Sequence, residues 1–280
     1  MERIAVLGAG NGGQALAGHL GMKGFDVTLF QLPAFEETIA PIRESGSVTL
    51  TGFIQGTGPV RATADMAEAL AGARVAYVVV PAFGQLPMMM EAAPFLETGT
   101  KVLFIPGNFA SLVSSTWMKR AGLEKQVLLA ETDTLPYACR LEEPGRVHVW
   151  GMKQRLAASA FPGSRTPELL EAIAPSFPIE VVPAESVLQI ALSNMNMVVH
   201  CLTLLLNVGR VEATGGAFRF YTDGVTPTIG KLMEILDGER RQVGKAYGLE
   251  LASAVEWVKA AYALEGNSLY ELLSKNPAYA

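Results

Sequence analysis

From the N-terminus to about residue 183, short β-branched runs alternate with stretches of helical periodicity, the pattern that builds a parallel sheet covered by helices. Strands are expected at 4–7, 27–30, 75–80, 101–105, 126–130, 147–150 and 179–182. Beyond Pro183 only helical periodicity remains, so residues 1–183 read as an α/β domain and residues 184–280 as an all-helical one. The second part carries explicit helix punctuation. Thr226-Pro227 supplies a capping residue and a proline at the first helical position, and Gly248 lies where a glycine would close that helix. Ser268-Leu269-Tyr270-Glu271 reads as a capping box, and Asn276-Pro277 stops the short helix it opens.

The apolar run 187–208 is long enough to raise the question of a membrane span, but Gln189, Ser193, Asn194, Asn196, His200 and Asn207 interrupt it, and a buried helix accounts for it better. Within it, Gln189, Ser193, Asn196, His200, Thr203 and Asn207 are spaced 4, 3, 4, 3 and 4 apart, which puts them on one helical face. The other faces are Leu, Ile, Val and Met, so the helix is expected to be buried nearly all round. An unpartnered buried polar group costs about 1 to 3 kcal/mol, so this seam must meet side chains, water or a substrate.

Composition narrows the class. Of 280 residues 50% are hydrophobic and 18% charged, which describes a folded chain and excludes disorder as its main state. The net charge of −5, without a basic run, lacks the footprint that a phosphate backbone demands, so nucleic acid is not an expected partner. Cys139 and Cys201 form neither a C-x-x-C pair nor a cluster with histidine, so no disulfide framework or zinc site is expected and reduced cytosol is the default. The N-terminus runs directly into a strand without the features of a signal peptide, which agrees with a cytoplasmic location. The apolar helices could line a core or the interface of a homodimer.

Gly8-Ala9-Gly10-Asn11-Gly12-Gly13 fits G-x-G-x-x-G and sits where the mechanism requires, after the strand at 4–7 and at the start of a helix ending near Gly24. Gly8 permits the tight turn, Gly10 lets a pyrophosphate approach the backbone, and Gly13 lets helix and strand pack closely, while the helix N-terminus offers N–H donors and a positive dipole end. The first domain is therefore of Rossmann type, binding dinucleotide through Gly8, Gly10, Asn11, Gly12 and Gly13. Gln31 ends the second strand, where an NAD enzyme usually has an acid for the ribose hydroxyls, and the next arginine is Arg43. Glutamine can still bond a ribose hydroxyl, whereas nothing nearby offers charge to a 2′-phosphate, so NAD is slightly favoured over NADP. The turns at Pro81 and Asn108 end two further strands and should face the nicotinamide side of the cleft. Asn108 could equally be a turn residue after Pro106-Gly107.

His200 is the only titratable group on the polar seam, with Asn196 one turn before it, and an unperturbed pKa near 6.5 suits proton transfer. The competing reading is a core histidine satisfied by Ser193 and Asn196. His19 and His148 read as structural. Arg140 could hold a substrate carboxylate bidentately or pair with Glu142 or Glu143 on the surface. Asn196 and Thr226 complete the candidate substrate-binding residues.

The glycine loop, the stretch Glu131-Thr132-Asp133-Thr134-Leu135-Pro136-Tyr137-Ala138-Cys139-Arg140, His200 after Asn194-Met195-Asn196, and Phe220-Tyr221-Thr222-Asp223-Gly224-Val225-Thr226-Pro227 together resemble the opine dehydrogenases, the octopine/nopaline dehydrogenase group, over nearly the whole chain. The resemblance implies a Rossmann domain followed by a helical domain, with the active site between them. It implies NAD(P)H-dependent reductive condensation of an α-keto acid such as pyruvate with an amino acid, with His200 as the general acid/base. In the family that histidine pairs with an aspartate beyond the helix corresponding to 268–276, and the sequence ends at Ala280 before such a segment. Asp223 and Asp237 are the next aspartates after His200, and Asp237, four before Arg241, is expected as a surface pair partner. Two other readings are a ketopantoate-reductase-like or hydroxyacid dehydrogenase, which needs a helical-domain lysine (Lys231, Lys245 and Lys259 all miss the seam), and a catalytically silent dinucleotide-binding homologue.

Overall fold

The structure, a computed structural model, describes residues 2–123, 126–274 and 276. They fall into two compact units, Met1–Ala191 and Leu192–Ala280. The first opens with β1 (Arg3–Leu7), α1 (Asn11–Met22), β2 (Asp26–Phe30), α2 (Ala40–Ser45), β3 (Ser47–Gly52), β4 (Gly56–Pro59), β5 (Arg61–Thr63) and α3 (Met66–Leu70). It continues through β6 (Val75–Val78), α4 (Ala82–Ala92), β7 (Lys101–Phe104), α5 (Ala110–Arg120), β8 (Leu128–Thr132), β9 (Tyr137–Glu143), β10 (Arg146–Met152), β11 (Arg155–Phe161), α6 (Thr166–Ile173) and β12 (Glu180–Pro183). Helix α7 (Val187–Ser193) leads to the second unit, which holds α8 (Asn196–Ala213), α9 (Pro227–Ala246), α10 (Ala254–Tyr262) and α11 (Leu269–Ser274).

Eight strands form one sheet in the order β12-β11-β8-β7-β6-β1-β2-β5. From β5 to β8 all neighbours are parallel, as β-branched and apolar strands buried on both faces favour. The sheet is nonetheless mixed, because β11 runs antiparallel to β8. Strand order reverses between β1 and β6, which places a ligand crevice at their carboxyl ends.

A second sheet, β4-β3-β10-β9, was not expected from the sequence. It covers the side of α1 turned away from the large sheet, and nine of the twelve residues of α1 are buried as a result. The fit requires bare backbone: a Cβ on Gly21 would overlap the Pro59 carbonyl, and one on Gly58 would overlap the carbonyl of Gly18. The strands β3, β4, β5, β9 and β11 escape a search for apolar runs because they are glycine-rich, short, small-residue or polar on one face; the expected 147–150 run became β10 of this second sheet.

In the helical unit, Met195, Val198, Val199, Val225, Ile229, Met233, Val258 and Leu269 form a common core. The apolar run is broken at Asn194-Met195, where the Asn194 Oδ1 accepts a hydrogen bond from the Asn196 backbone N–H at 3.0 Å. Residues 187–213 are long and apolar enough to cross a membrane by composition, and half of that window is buried. The expectation of burial nearly all round is corrected: Leu204, Leu205, Leu206 and Val208 lie on the surface, Leu205 at 68%. The seam residues Thr203 and Asn207 bond backbone carbonyls, Thr203 that of Val199 at 2.7 Å and Asn207 those of Thr203 and Gly224 at 2.8 and 3.0 Å.

Asp237 is likewise not a surface partner of Arg241. It is 5% exposed and pairs with Arg240 at 2.7 Å, while its other oxygen accepts the Ala254 N–H at 3.0 Å and so caps α10. Arg240 also donates to the carbonyls of Leu192 (2.6 Å) and Ala252 (2.5 Å). This knot ties α9 to the chain entering the unit and to the start of α10. At the Ser268 box only half the exchange forms, since Glu271 reaches the Asn267 N–H; the complete capping box is Ser253–Glu256.

Removing one member of a buried, hydrogen-bonded pair strands the other charge at a cost of about 3 to 5 kcal/mol. Asp237→Ala should therefore lower the unfolding free energy of the helical unit by about that much in urea melts, and a loss under about 1 kcal/mol would contradict the assigned role.

Candidate active site

The glycine loop occupies the carboxyl end of β1, beside the carboxyl end of β6. Gly8 has φ 110, a left-handed value that glycine adopts without a Cβ penalty, and a Cβ there would come within 2.6 Å of the Val79 carbonyl oxygen. A Cβ on Gly13 would overlap the carbonyl of Gly8, and one on Gly12 would lie 2.8 Å from Leu135. These glycines are demanded by packing. Gly10 is different: its φ of −78 is ordinary, a Cβ would meet no atom within 4 Å, and no side chain caps the helix N-terminus it opens. Space and unpartnered N–H groups therefore coincide where a pyrophosphate would approach, and the residues present fit a dinucleotide.

The stretch 131–145 wraps that helix start. The Asn11 Oδ1 accepts the Leu141 N–H at 2.9 Å, so its side chain serves the strand β9. Gln14, fully buried, donates to the Ala9 carbonyl at 2.8 Å and accepts the Gly145 N–H at 2.8 Å. His19 meets the Tyr137 hydroxyl at 3.0 Å, as a structural histidine would. At the end of β2, the Gln31 Oε1 accepts the Leu32 N–H at 3.0 Å and its amide lies 3.4 Å from the Thr38 hydroxyl. Arg43 is committed to Glu36 at 2.7 Å.

Pro81 stands exposed at the start of α4, and the buried Gln85 one turn later donates to the Pro106 carbonyl at 2.6 Å, linking this turn to the one that carries Asn108. That second turn rests on Glu131, which is completely buried. Its carboxylate accepts the Phe109 N–H at 3.0 Å, the Ser111 N–H at 2.8 Å and the Ser111 hydroxyl at 2.5 Å, and Gly107 packs against it too closely for a Cβ. Glu131 thereby fills the N-terminus of α5 and holds Phe109 at a φ of 60, with Asn108 exposed between them. Burial pushes the Glu131 pKa up, against the pull of the three donors.

Arg140 lies on the exposed face of β9 in register with His148, while Cys139 and Leu141 pack inward. Among the described residues it makes no ion pair, because Glu142 is engaged by Arg146 at 2.6 Å. Burial pushes the Cys139 thiol up to about 12, so it is no nucleophile.

In the helical unit the His200 Nε2 lies 3.0 Å from the Tyr221 hydroxyl, and Phe220 meets the ring edge-on at 5.3 Å. His200 is an exposed residue of α8, and the part of its imidazole packed against Phe220 and Tyr221 is shielded from water, which holds its pKa below the usual 6.5. Asn196 lies one turn earlier on the same face of α8, with its amide unbonded among the described residues. Asp223 is turned away to the Arg219 backbone N–H (3.0 Å) and guanidinium (3.2 Å). The Thr226 hydroxyl accepts the Ile229 N–H at 3.3 Å, so the candidate substrate ligand is occupied as a helix cap. Gln14 and Gln85 were not expected at the site, and Glu131 and Tyr221 stood only inside the longer motifs at 131–140 and 220–227; those motifs, and for Gln14 its place in the helix of the glycine loop, are the signals that could have found them.

Residues 183–280 match the family described as NAD/NADP octopine/nopaline dehydrogenase, alpha-helical domain, and residues 3–107 match the NAD-dependent glycerol-3-phosphate dehydrogenase N-terminus. An opine dehydrogenase of Arthrobacter sp. (strain 1C) is 34% identical over 280 residues, covering 99% of this chain and 77% of the relative. The chain belongs to the opine dehydrogenase family. A structure of octopine dehydrogenase in complex with NADH and agmatine superposes with a TM-score of 0.77 at 23% identity, over 100% of this chain and 75% of that one. A yersinopine dehydrogenase with NADP+ bound gives 0.69 at 16% identity, over 90% and 65%. At those identities the two structures show the shared fold. The chain is thus an NAD(P)-dependent dehydrogenase of this family, with a mixed α/β dinucleotide domain and a helical domain.

Gly10→Ala should fold with an unchanged melting temperature yet bind NADH at least about tenfold more weakly, a loss of about 1.4 kcal/mol, whereas Gly13→Ala should fail on stability. Calorimetric titration beside a thermal melt separates them, and unimpaired NADH binding by Gly10→Ala would contradict the cradle. Glu131→Gln sets an amide N–H against a donor and should cost about 1 to 3 kcal/mol. Because the folded pKa is raised, the native protein keeps its proton where the unfolded chain has lost it, so Glu131 contributes most below about pH 4.3 and less as pH rises through the raised value. Denaturant melts of wild type and variant should show their difference shrinking from acid to neutral pH, and a growing difference would refute this.

Proposed function

We propose that the chain condenses an α-keto acid with the amino group of an amino acid and reduces the resulting imine at the expense of NAD(P)H. The observations that support this, in a member of this family, are the open dinucleotide cradle at Gly10 in the first unit and, in the helical unit, the His200 imidazole held against Tyr221 and Phe220. In this reading residues 1–183 bind the dinucleotide and 184–280 the substrates. Gly8, Gly10, Gly12, Gly13 and the Asn11 backbone surround the pyrophosphate, Gln31 faces the ribose, and Pro81 and Asn108 border the nicotinamide, which supplies hydride when bound. That Arg43, the next arginine after Gln31, is held by Glu36 supports NAD over NADP.

His200 would act as general acid/base on the carbonyl, carbinolamine or imine, with Asn196 and Arg140 orienting amino and carboxylate groups and Thr226 contributing only as the cap that fixes the following helix. A depressed pKa favours the neutral form of His200, which is ready to accept a proton from the attacking amine. A seam that carries a histidine and none of Lys231, Lys245 and Lys259 speaks against the lysine-dependent reading, a ketopantoate-reductase-like or hydroxyacid dehydrogenase. Small-molecule substrates, a cytoplasmic pool of reduced dinucleotide and a homodimer that covers part of the apolar surface, without nucleic acid or membrane, complete the reading.

Oxidation of NADH or NADPH with pyruvate and a panel of amino acids tests it: turnover should require the amine. His200→Asn should keep folding and NADH affinity and lower kcat about 10²- to 10⁴-fold. A stable variant with undiminished kcat would remove His200 from the chemistry, and absence of amine-dependent turnover across pH would overturn the activity.

A further inference from the structure

At the carboxyl end of β2 the chain closes a ring of contacts. The Gln31 N–H donates to the Thr63 carbonyl of β5 at 3.2 Å, and the Gln31 amide lies 3.4 Å from the Thr38 hydroxyl, which itself donates to the Phe35 carbonyl at 2.8 Å. Thr38 and Phe35 belong to a short 3₁₀ helix, Pro33–Thr38, that also carries Glu36. Glu36 takes the Arg43 Nη1 at 2.7 Å, and the Arg43 Nε donates to the carbonyl of Ala62, the residue before Thr63, at 3.4 Å. The guanidinium is thus docked on β5 one residue from the point at which Gln31 docks. Arg43 is the only cation between Gln31 and Ser47, and Arg61, next along β5, is turned to Asp26 (2.7 Å) and the Thr28 hydroxyl (3.2 Å). Glu68 takes the Thr63 hydroxyl at 2.5 Å and adds a second carboxylate at the end of β5.

We propose that Glu36 determines the cofactor preference: by holding Arg43 it keeps from the ribose end the guanidinium placed to take a 2′-phosphate. The proposal rests on the reading in which Gln31 faces the ribose and NAD is favoured. A phosphate in place of the 2′-hydroxyl brings about two negative charges and three strong acceptor oxygens, which a guanidinium meets bidentately. In this structure Arg43 already spends one N–H on Glu36, and that carboxylate would face an incoming phosphate as a like charge. The uncharged ribose of NAD makes no such demand and leaves the pair closed. The side chains of Arg43 and Glu36 are 45% and 48% exposed. An exposed pair of this kind shifts an equilibrium by about fivefold at most, so the preference it sets is graded and a single substitution should relax it.

Glu36→Gln removes the charge and keeps the size of the side chain. Calorimetric titration of the whole chain with NADPH and with NADH should give a ratio of NADPH to NADH affinity about three- to tenfold above that of wild type, from a released guanidinium together with the loss of a like charge. Adding Arg43→Ala should abolish most of that gain, because it acts through the guanidinium. The gain should also shrink as added salt screens the phosphate. Both side chains lie at the surface, so the variants should melt with wild type, and Glu36→Ala gives the same readout if the glutamine variant does not fold. A ratio within about twofold of wild type in the Glu36 variants, or an undiminished gain in the presence of Arg43→Ala, would overturn the proposal. Gln31→Ala separates this inference from the reading beneath it. Undiminished NADH binding by that variant sinks the placing of the ribose, and the proposal with it, whereas weakened NADH binding there with an unmoved ratio in Glu36→Gln sinks this inference alone.

Discussion

The first unit depends on a helix held between two sheets. Helix α1 meets β1 and β2 on one side and β3, β4, β9 and β10 on the other, and at its start and against β4 the contact is backbone against backbone. At Gly13 the helix touches the turn that precedes it; at Gly18 and Gly21 it touches β4. A methyl group at either boundary has nowhere to go, because interiors are packed to crystalline density and a carbonyl cannot swing aside as a side chain can. What this clamp fixes is the position and direction of the helix N-terminus, and with it the four N–H groups and dipole end aimed past Gly10. Dinucleotide recognition is therefore set by a packing constraint made mostly away from the ligand.

Of the helix N-termini at this edge of the large sheet, those of α1 and α5 are treated in opposite ways. That of α1 has neither a capping side chain nor an acid in its first turn, whereas that of α5 is satisfied from within by Glu131. A protein that presented both would offer two competing anion sites at one crevice. Closing α5 with a buried carboxylate takes one competing positive end out of the crevice and also stiffens the turn that carries Asn108. Glutamate is suited to this because its two oxygens can each take a backbone N–H, an arrangement the amide cannot reproduce.

The parallel half of the fold was legible in the chain, because strands such as Val75–Val78 are apolar throughout and the glycine loop follows its strand in the order the mechanism needs. The second sheet was not. Gly56-Thr57-Gly58-Pro59 has little strand propensity, and it pairs because α1 approaches too closely for any other residue. The helical periodicity of the polar seam was real for Asn196, His200, Thr203 and Asn207, but the surface on which Leu204 and Leu205 lie has the same composition as a core, and periodicity cannot tell them apart. Asp237 looked like a surface charge because i to i+4 spacing is the ordinary surface pattern; its true partner Arg240, at i+3, is set by tertiary contacts that no local spacing reports. Of the site, His200 was visible as the one titratable group on its face, and Tyr221 lay in a motif, but their contact across 21 positions is one that no local spacing reports.

The central claim is that hydride ends on the carbon of a carbon–nitrogen bond made from keto acid and amine. The measurement that tests it most directly is mass spectrometry of the products formed from pyruvate and an amino acid in the presence of reduced dinucleotide deuterated at its hydride-donating carbon. The account predicts a secondary amine bearing one deuterium on the carbon that was the keto-acid carbonyl. Deuterium appearing in lactate instead, with the amino acid unconsumed, would contradict it.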